Sequence, residues 1–414
     1  MSITISGGAT LSGGALFTPP PTTYNGDVSW GTATNLPLRP IASNGNQGLD
    51  AVPEVVWDPV NSKVVIFYQD HTNTGDSWRS GYVVVGTISG SGITYGTPVE
   101  FANGPSDGQP NTIMASYDAN AQKILLTWGT NNNNYARVIT VSGTSVTMGS
   151  IQQAAMLGTN NFVSQTALVY DSNSQKHVFV YNTSGSDASF ARVLTISGTS
   201  VTRGSDTRVD SAITSQENNS IVYDSNAQKV VVTYTTNSGN AKAVVGTVSG
   251  TSISFGTAVD VTTTGATKTT AVYDSVNQKV VFLWRYNSGG QGAARVGTIS
   301  GTSLTFGTET IFETDNINIV NDGPMDWAAY DVTSKKVYAV YRNNTATNDP
   351  AYLAVGTVSG TDITFGTTTA INNYISYRTF VASTGSLTIL AGTVDRTNPS
   401  GTLRPYKTYV GTIS

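Results

Sequence analysis

A single phrase, copied with small changes, runs the length of this chain. It reads Val272-Tyr273-Asp274-Ser275-Val276-Asn277-Gln278-Lys279-Val280-Val281-Phe282, then Arg295-Val296-Gly297-Thr298-Ile299-Ser300-Gly301-Thr302-Ser303, then Leu304-Thr305-Phe306-Gly307-Thr308. Its closing glycine recurs at Gly31, Gly96, Gly149, Gly204, Gly256, Gly307 and Gly366, at intervals of 65, 53, 55, 52, 51 and 59 residues. A unit this short cannot bury a core without its neighbours, and a repeat of this length built of short strands predicts a β-propeller.

The two ends set the blade count. The last copy stops at Tyr409-Val410-Gly411-Thr412-Ile413-Ser414, where every other copy turns into its final strand, and Val28-Ser29-Trp30-Gly31-Thr32 is that final strand without its predecessors. An open ring would leave unpaired edges at both ends. The expected fold is all-β: a seven-bladed β-propeller of four-stranded antiparallel blades over 27–414, closed by the N-terminal strand (about 27–34) completing the C-terminal blade, with 1–26 as a Gly/Pro-rich assembly arm.

In the fifth copy the four runs are 269–274, 280–285, 293–299 and 303–307, strands a to d, with β-branched residues in the runs and Gly, Asn and Ser between them. The a-to-b turn holds Asp-x-x-x-x-Lys in six copies: Asp58/Lys63, Asp118/Lys123, Asp171/Lys176, Asp224/Lys229, Asp274/Lys279 and Asp331/Lys336. Such a turn is expected to be closed by the Asp side chain and flanked by an ion pair to the Lys. The c-to-d turn is Ser-Gly-Thr-Ser or a near variant, whose Gly supplies positive φ. Because strands alternate, both kinds of turn share one face of the disc. The b-to-c loops (69–81, 129–135, 182–190, 235–240, 286–292, 343–352 and 394–404) share the other with the d-to-a crossovers, and they differ in every copy. A rigid scaffold with variable loops on one side is a common way to build a recognition surface.

Composition narrows the function. Charged residues are 12%, with 22 basic against 26 acidic, so no phosphate-binding surface and no nucleic-acid partner are expected. There is no cysteine, which removes disulfides, thiolate metal sites and a thiol nucleophile. The first basic residue is Arg39, and no apolar run approaches a membrane span, so neither a signal peptide nor a transmembrane segment is expected. A Thr/Ser/Gly/Asn-rich surface protein without an export signal fits a virion component made in a host cytoplasm. Residues Ile3, Ile5 and Leu11 alternate with polar residues in Gly-punctuated pieces ahead of Pro19-Pro20-Pro21, a pattern expected to pair with another chain by strand addition.

The repeat Tyr-Asp-x-x-x-x-Lys-Val-Val followed by Val-Gly-Thr-Val-Ser-Gly-Thr-Ser-Ile-Ser-Phe-Gly-Thr, and the opening Ser-Ile-Thr-Ile-Ser-Gly-Gly, resemble those of structural and tail-fibre-type proteins of marine bacteriophages. The resemblance covers about 27–414 for the repeat and 1–15 for the arm, and it implies a virion structural protein, a tail fibre or other appendage acting in assembly and host attachment. Copies two and three depart from the pattern, with Ile139 and Leu194 for the strand-c Gly and Met148 and Arg203 for the aromatic. Copy seven has Ala382-Ser383-Thr384-Gly385-Ser386 in place of the Asp and Lys.

Candidate chemistry is sparse. His177 replaces the Val or Ile that opens strand b and is expected to be a packed strand residue. His71 stands beside Asp70, Asp76, Trp78 and Arg79, but no nucleophile or oxyanion motif accompanies it. Glu54, Asp107, Glu217, Asp322 and Asp326 are the carboxylates that strand a or its approach would bring toward the channel, where a pair could hydrolyse a sugar. Sialidase-type Ser-x-Asp-x-Gly-x-x-Trp turns are absent. His71, Trp78, Arg79, Tyr135, Tyr286, Tyr352 and Tyr406 are the candidate binding residues, because aromatic faces cover apolar sugar patches while amides satisfy hydroxyls. The reading is non-enzymatic, with no catalytic residue, metal or cofactor. The expected partners are other virion proteins through the arm and a host-surface glycan or protein receptor, with homo-oligomers allowed. A lectin-like surface protein and a glycan-degrading enzyme are the alternatives.

Overall fold

The computed structural model describes residues 3–5, 9–11, 24–37, 53–70, 79–130, 133–156, 166–183, 188–212, 216–319, 327–395 and 406–414. Blade 5 shows the plan: strand a Ala266–Asp274, b Lys279–Tyr286, c Gly292–Ser300, and d Ser303–Phe306 resuming at Thr310–Glu313, all antiparallel in the order a-b-c-d. Seven such sheets form a seven-bladed β-propeller. Blade 7 takes a, b and c from Ser376–Ser383, Thr388–Asp395 and Tyr406–Ile413, and d from Val28–Trp30 and Thr34–Asn35. The closing register pairs Val28 with Ile413, Trp30 with Gly411 and Thr34 with Thr408. A helical turn, Gly104–Asp107, lies in the crossover from blade 1 to blade 2.

The core lies between blades. Alternate residues of one strand enter different clusters: Val230 and Val232 pack toward blade 3, while Val231 packs toward blade 5. Burial on both faces explains why strand b reads as an unbroken apolar run rather than an alternation.

Two features of the repeat acquire physical causes. The strand-c glycine faces the strand-d aromatic directly, as Gly297 faces Phe306, and a Cβ at Gly246 would lie 2.8 Å from the Phe255 ring. The departures in copies two and three fall on that same pair, Ile139 opposite Met148 and Leu194 opposite Arg203, so the side chain that fills the space has changed strands. The closing glycine is different: a Cβ at Gly31, Gly204 or Gly307 would stand 1.8 Å from the carbonyl oxygen of Ser91, Thr251 or Thr361, each in the c-to-d turn of the next blade.

The a-to-b turns form as expected, with one correction. Asp118 Oδ1 accepts the Asn120 and Ala121 N–H groups at 2.9 and 2.8 Å, and Asp58, Asp171, Asp224 and Asp274 repeat the arrangement. The residue before each Lys holds positive φ, from 52° at Ser62 to 59° at Lys335, and the turn glycines do so at Gly90, Gly143, Gly198, Gly250, Gly301 and Gly360. The expected Asp–Lys ion pair does not form in any of the six turns. The carboxylates are buried and spent on main-chain donors, and Lys123 Nζ instead donates to Gly198 O of the next blade at 2.6 Å. The repeated Tyr contributes to the same junction: Tyr223 and Tyr273 accept the N–H of Asn173 and Asn226 at 3.3 Å, each reaching the preceding blade's turn.

Ile3–Ile5 and Ala9–Leu11 pair with each other, Ile3 opposite Leu11 and Ile5 opposite Ala9, in a separate two-stranded sheet. No helix among the described residues is long and apolar enough to cross a membrane.

Candidate recognition face

On the face opposite the turns, several strands b end in polar residues that fasten a crossover, and these residues differ from blade to blade. In blade 1, Gln69 Nε2 donates to Pro110 O at 2.8 Å. In blade 5, Arg285 Nε donates to Ile317 O at 2.6 Å and Nη2 to Asn316 Oδ1 at 3.0 Å. In blade 6, Asn343 Nδ2 donates to Asp315 Oδ2 at 3.0 Å, while Asn343 Oδ1 accepts from Thr345 and Ala346 N–H. These bonds from Asn343 and Thr345 hold the Asp315 carboxyl below its usual range. Blade 3 uses a buried cluster in which Ser189 Oγ lies 2.9 Å from both Asn182 Oδ1 and Asn219 Oδ1. Buried polar groups that are satisfied one blade at a time shape each loop separately on a common scaffold.

The innermost strand is irregular at this end. Strand a bulges between Glu217 and Ser220, between Thr267 and Thr270, and between Tyr377 and Phe380, with Lys268 and Arg378 in positive φ at 55° and 56°. Bulges re-aim side chains and gather beside functional sites. Arg378 is 4% exposed, its guanidinium lies 5.1 Å from the Tyr377 ring centroid, and its carbonyl accepts the Tyr406 hydroxyl at 2.6 Å. Burial, and then the charge of Arg378 in blade 7, lower the pKa of Arg79 in blade 1. Between the innermost strands of blades 1 to 4, Glu54, Met114, Leu168, Asn219 and Ser220 line a cavity of about 40 Å³.

Of the predicted binding residues, His71 and Trp78 lie outside the described residues, as does Asp76. Tyr135 is half-buried, its ring 5.6 Å from Trp128. Tyr286 is buried against Trp284 and donates its hydroxyl to Glu309; burial first, and then that carboxylate, push its pKa up to about 12. Tyr352 stacks on Tyr341 at 6.3 Å, and Tyr406 is fully buried. These four rings pack between strands rather than lying open on the loops. Arg79 precedes strand c of blade 1, and the structure adds Arg378 and Asn219, on strand a of blades 7 and 4, which sequence reasoning missed. Their one signal was polar sequence at the start of strand a, from Gln216 to Ser220 and at Arg378-Thr379.

The candidate carboxylates are separated by role. Glu54 is buried and accepts the Ala115 N–H at 3.2 Å. Asp107 accepts the Asn103 N–H at 2.9 Å in the helical turn, and Glu217 lies on strand a of blade 4. Asp322 and Asp326 lie outside the described residues. His177 is fully buried, as expected of a packed strand residue, with Nε2 3.4 Å from Asp118 Oδ2 and its ring beside Tyr170. Burial lowers the His177 pKa, an effect Asp118 partly offsets. For Asp118 burial acts upward, but His177 and the Ala121 N–H outweigh it and leave the carboxyl below its ordinary value. Among the described residues no three His, Asp or Glu gather as a metal site.

The molecule is thus a β-propeller with one uniform and one individualised face. No family model and no curated protein matches its sequence. It is similar in fold to a solved protein of Lactobacillus plantarum, with 11% identity, TM-score 0.52, and 83% of this chain and 96% of that one covered. It is also similar to the polysaccharide lyase Uly1, with 8% identity, TM-score 0.52 and coverage of 91% and 93%. The periplasmic gluconolactonase PpgL of Pseudomonas aeruginosa matches at 10% identity, TM-score 0.50 and coverage of 84% and 98%. Identities this low carry the fold and nothing of the chemistry.

Proposed function

We propose that this chain is a non-enzymatic recognition propeller of a bacteriophage virion, an appendage protein that attaches through its N-terminal arm and contacts a host-surface glycan or protein with its individualised face. The observation that carries the reading is the opposition of the two ends of the disc. Asp27 and Ser414 bond to each other on the turn face, through Ser414 N–H to Asp27 O at 2.9 Å. Tyr24 and Asn25 lie there against Asn277 and Thr333 to Lys336, in the a-to-b turns of blades 5 and 6. The arm therefore leaves the ring on the side away from the blade-specific loops, so both ends can be engaged at once. The repeat and arm resemblance supplies the virion setting.

The test is binding of the purified protein to host cells. Replacing residues 71–79 with the short connection of blade 4 should reduce binding at least tenfold, whereas deleting residues 1–23 should leave it intact. Binding that ignores every change to the loop face, yet is lost when turn-face residues change, overturns the assignment of faces. The named polysaccharide lyase of similar fold makes one control necessary: release of unsaturated sugars from a host polysaccharide, lost in Glu54→Gln, would establish an enzyme instead.

A further inference from the structure

At six of the seven blade junctions the closing glycine of one blade lies under the c-to-d turn of the next, with the prospective Cβ 1.8 to 3.1 Å from a turn carbonyl oxygen. Gly366 of blade 6 is the exception, with nothing within 4 Å of its prospective Cβ. The cause is the ring closure. Blade 7 joins strands c and d through Ser414 and Asp27 rather than through a Ser-Gly-Thr-Ser turn, so the turn that would fill this junction is missing. In its place is a groove of about 610 Å³ lined by Val28, Trp30, Leu353, Val355, Phe365 and Gly366.

The arm carries the missing piece. Thr4-Ile5-Ser6-Gly7 repeats Thr298-Ile299-Ser300-Gly301 of blade 5 and Thr87-Ile88-Ser89-Gly90 of blade 1, which are the c-to-d turns that occupy such junctions. Like those turns, it joins two short antiparallel strands, Ile3–Ile5 and Ala9–Leu11. We propose that the groove between blades 6 and 7 is a receptor for the N-terminal hairpin of a second copy of this chain, an assignment that rests on the arm being an assembly element. A hairpin laid in the groove adds main-chain and apolar contacts of the kind strand-addition complexes use.

The occupant is a second copy because of how the chain departs. Asn25 lines this groove, but Tyr24 already lies over the next one, between blades 5 and 6. The chain is therefore moving away from the seam as it is followed backwards. Residues 12–23 can span up to about 40 Å, enough to reach a neighbouring molecule. Arm-to-groove contact is head-to-tail, so it generates a closed ring of propellers or a filament.

Two full-length variants test this by complementation in light-scattering chromatography. Gly366→Leu fills the groove and keeps the arm; Ile3→Asp/Ile5→Asp disables the arm and keeps the groove. Both should melt within about 2 °C of the native chain, Gly366→Leu because nothing lies within 4 Å of its prospective Cβ and the arm variant because the ring does not include residues 3–5. The native chain should form oligomers that grow with concentration, each variant alone should be monomeric, and an equimolar mixture should form a heterodimer through its one intact joint. Oligomers that persist in either variant, or a mixture that stays monomeric, overturn the proposal; monomeric variants whose mixture does not pair point to a hairpin docked on its own ring. A monomeric native chain that still binds host cells through its loop face overturns this receptor while leaving the recognition reading standing.

Discussion

Replacing the closing glycines one at a time with alanine should reproduce the contact distances as a graded loss of stability. At Gly31, Gly204 and Gly307 the new Cβ would meet a carbonyl oxygen at 1.8 Å, at Gly149 one at 2.0 Å, at Gly256 one at 2.8 Å, at Gly96 one at 3.1 Å, and at Gly366 nothing. An oxygen at 1.8 Å must retreat by more than an ångström, and because it belongs to the backbone of a hydrogen-bonded turn it cannot rotate away. Overpacking of this kind typically costs 1–3 kcal/mol and occasionally more, so about 3 kcal/mol is expected for Gly307→Ala. Gly366→Ala has no such contact and no positive φ, so it should be neutral or stabilising by up to about 1 kcal/mol through the unfolded state. For a 414-residue chain the unfolding entropy is roughly 0.9 kcal/mol per kelvin, which makes the gap between these two variants about 3–5 °C in Tm. Calorimetry on chains lacking residues 1–23, in which no arm can enter the seam, is the assay. Equal Tm losses for Gly307→Ala and Gly366→Ala, or no rank order among the seven, would refute the account of both the repeat and the seam.

Deleting residues 1–34 should cost at least about 5 kcal/mol, since it removes the strand bonded through Gly31 N–H to Val410 O and packed by Trp30 on Tyr409, while deletion of 1–23 should leave Tm within about 2 °C; equal melting points would sink strand closure. The His177 pKa is lowered in the fold, so below the ordinary histidine value of about 6.5 the unfolded chain takes a proton that the folded chain refuses, and stability falls by up to about 1.4 kcal/mol per pH unit until the folded pKa is reached. His177→Val should flatten that stretch of the stability profile in urea titrations, and an unchanged slope counts against the burial argument. Leu194→Gly alone should lose about 2–4 kcal/mol to a cavity, whereas pairing it with Arg203→Phe, which restores the glycine–aromatic arrangement of the other blades, should recover at least about 1 kcal/mol in a double-mutant cycle.

What recurs in this chain was legible, because repetition turns a weak local signal into a strong one. Seven glycines at a near-constant interval gave the blades, and the single-strand remnant at Val28 to Trp30 gave the closure, without any need to know a distance. The Asp-x-x-x-x-Lys spacing correctly predicted a closed turn but not its electrostatics. Asp118 and Lys123 face each other in the ladder, yet two main-chain N–H groups take the buried carboxylate, and the longer side chain is drawn to the next blade's carbonyl. The loop aromatics failed for a related reason. Tyr286 and Tyr406 border variable segments, but sequence position alone does not separate a ring at the end of a strand from a ring on a loop, and burial decided for the strand.

The departures from the repeat turn out to be more informative than the repeat itself, since each marks a place where the seven blades are not equivalent in space. Ile139 with Met148 and Leu194 with Arg203 change together because they face each other, so they report packing and carry no functional message. The loss of Asp and Lys in copy seven reports the seam: Ser383 Oγ and the Leu387 N–H turn to Asp331 of blade 6, at 2.8 and 3.2 Å, and a blade without its own turn carboxylate leans on its neighbour's. Arg79 and Arg378 report something the alignment of copies cannot. They belong to different blades and no common motif, and closure of the ring brings them near enough for the charge of Arg378 to lower the pKa of Arg79. Arg378 is only 4% exposed and its guanidinium lies 5.1 Å from the Tyr377 ring centroid, so its place is in the packing of blade 7. Arg378→Gln should therefore destabilise the ring by about 1–3 kcal/mol, read as a loss of Tm, because it removes that ring contact and leaves the partners of a buried charged group unsatisfied. A variant that melts with the native chain would refute that packing role.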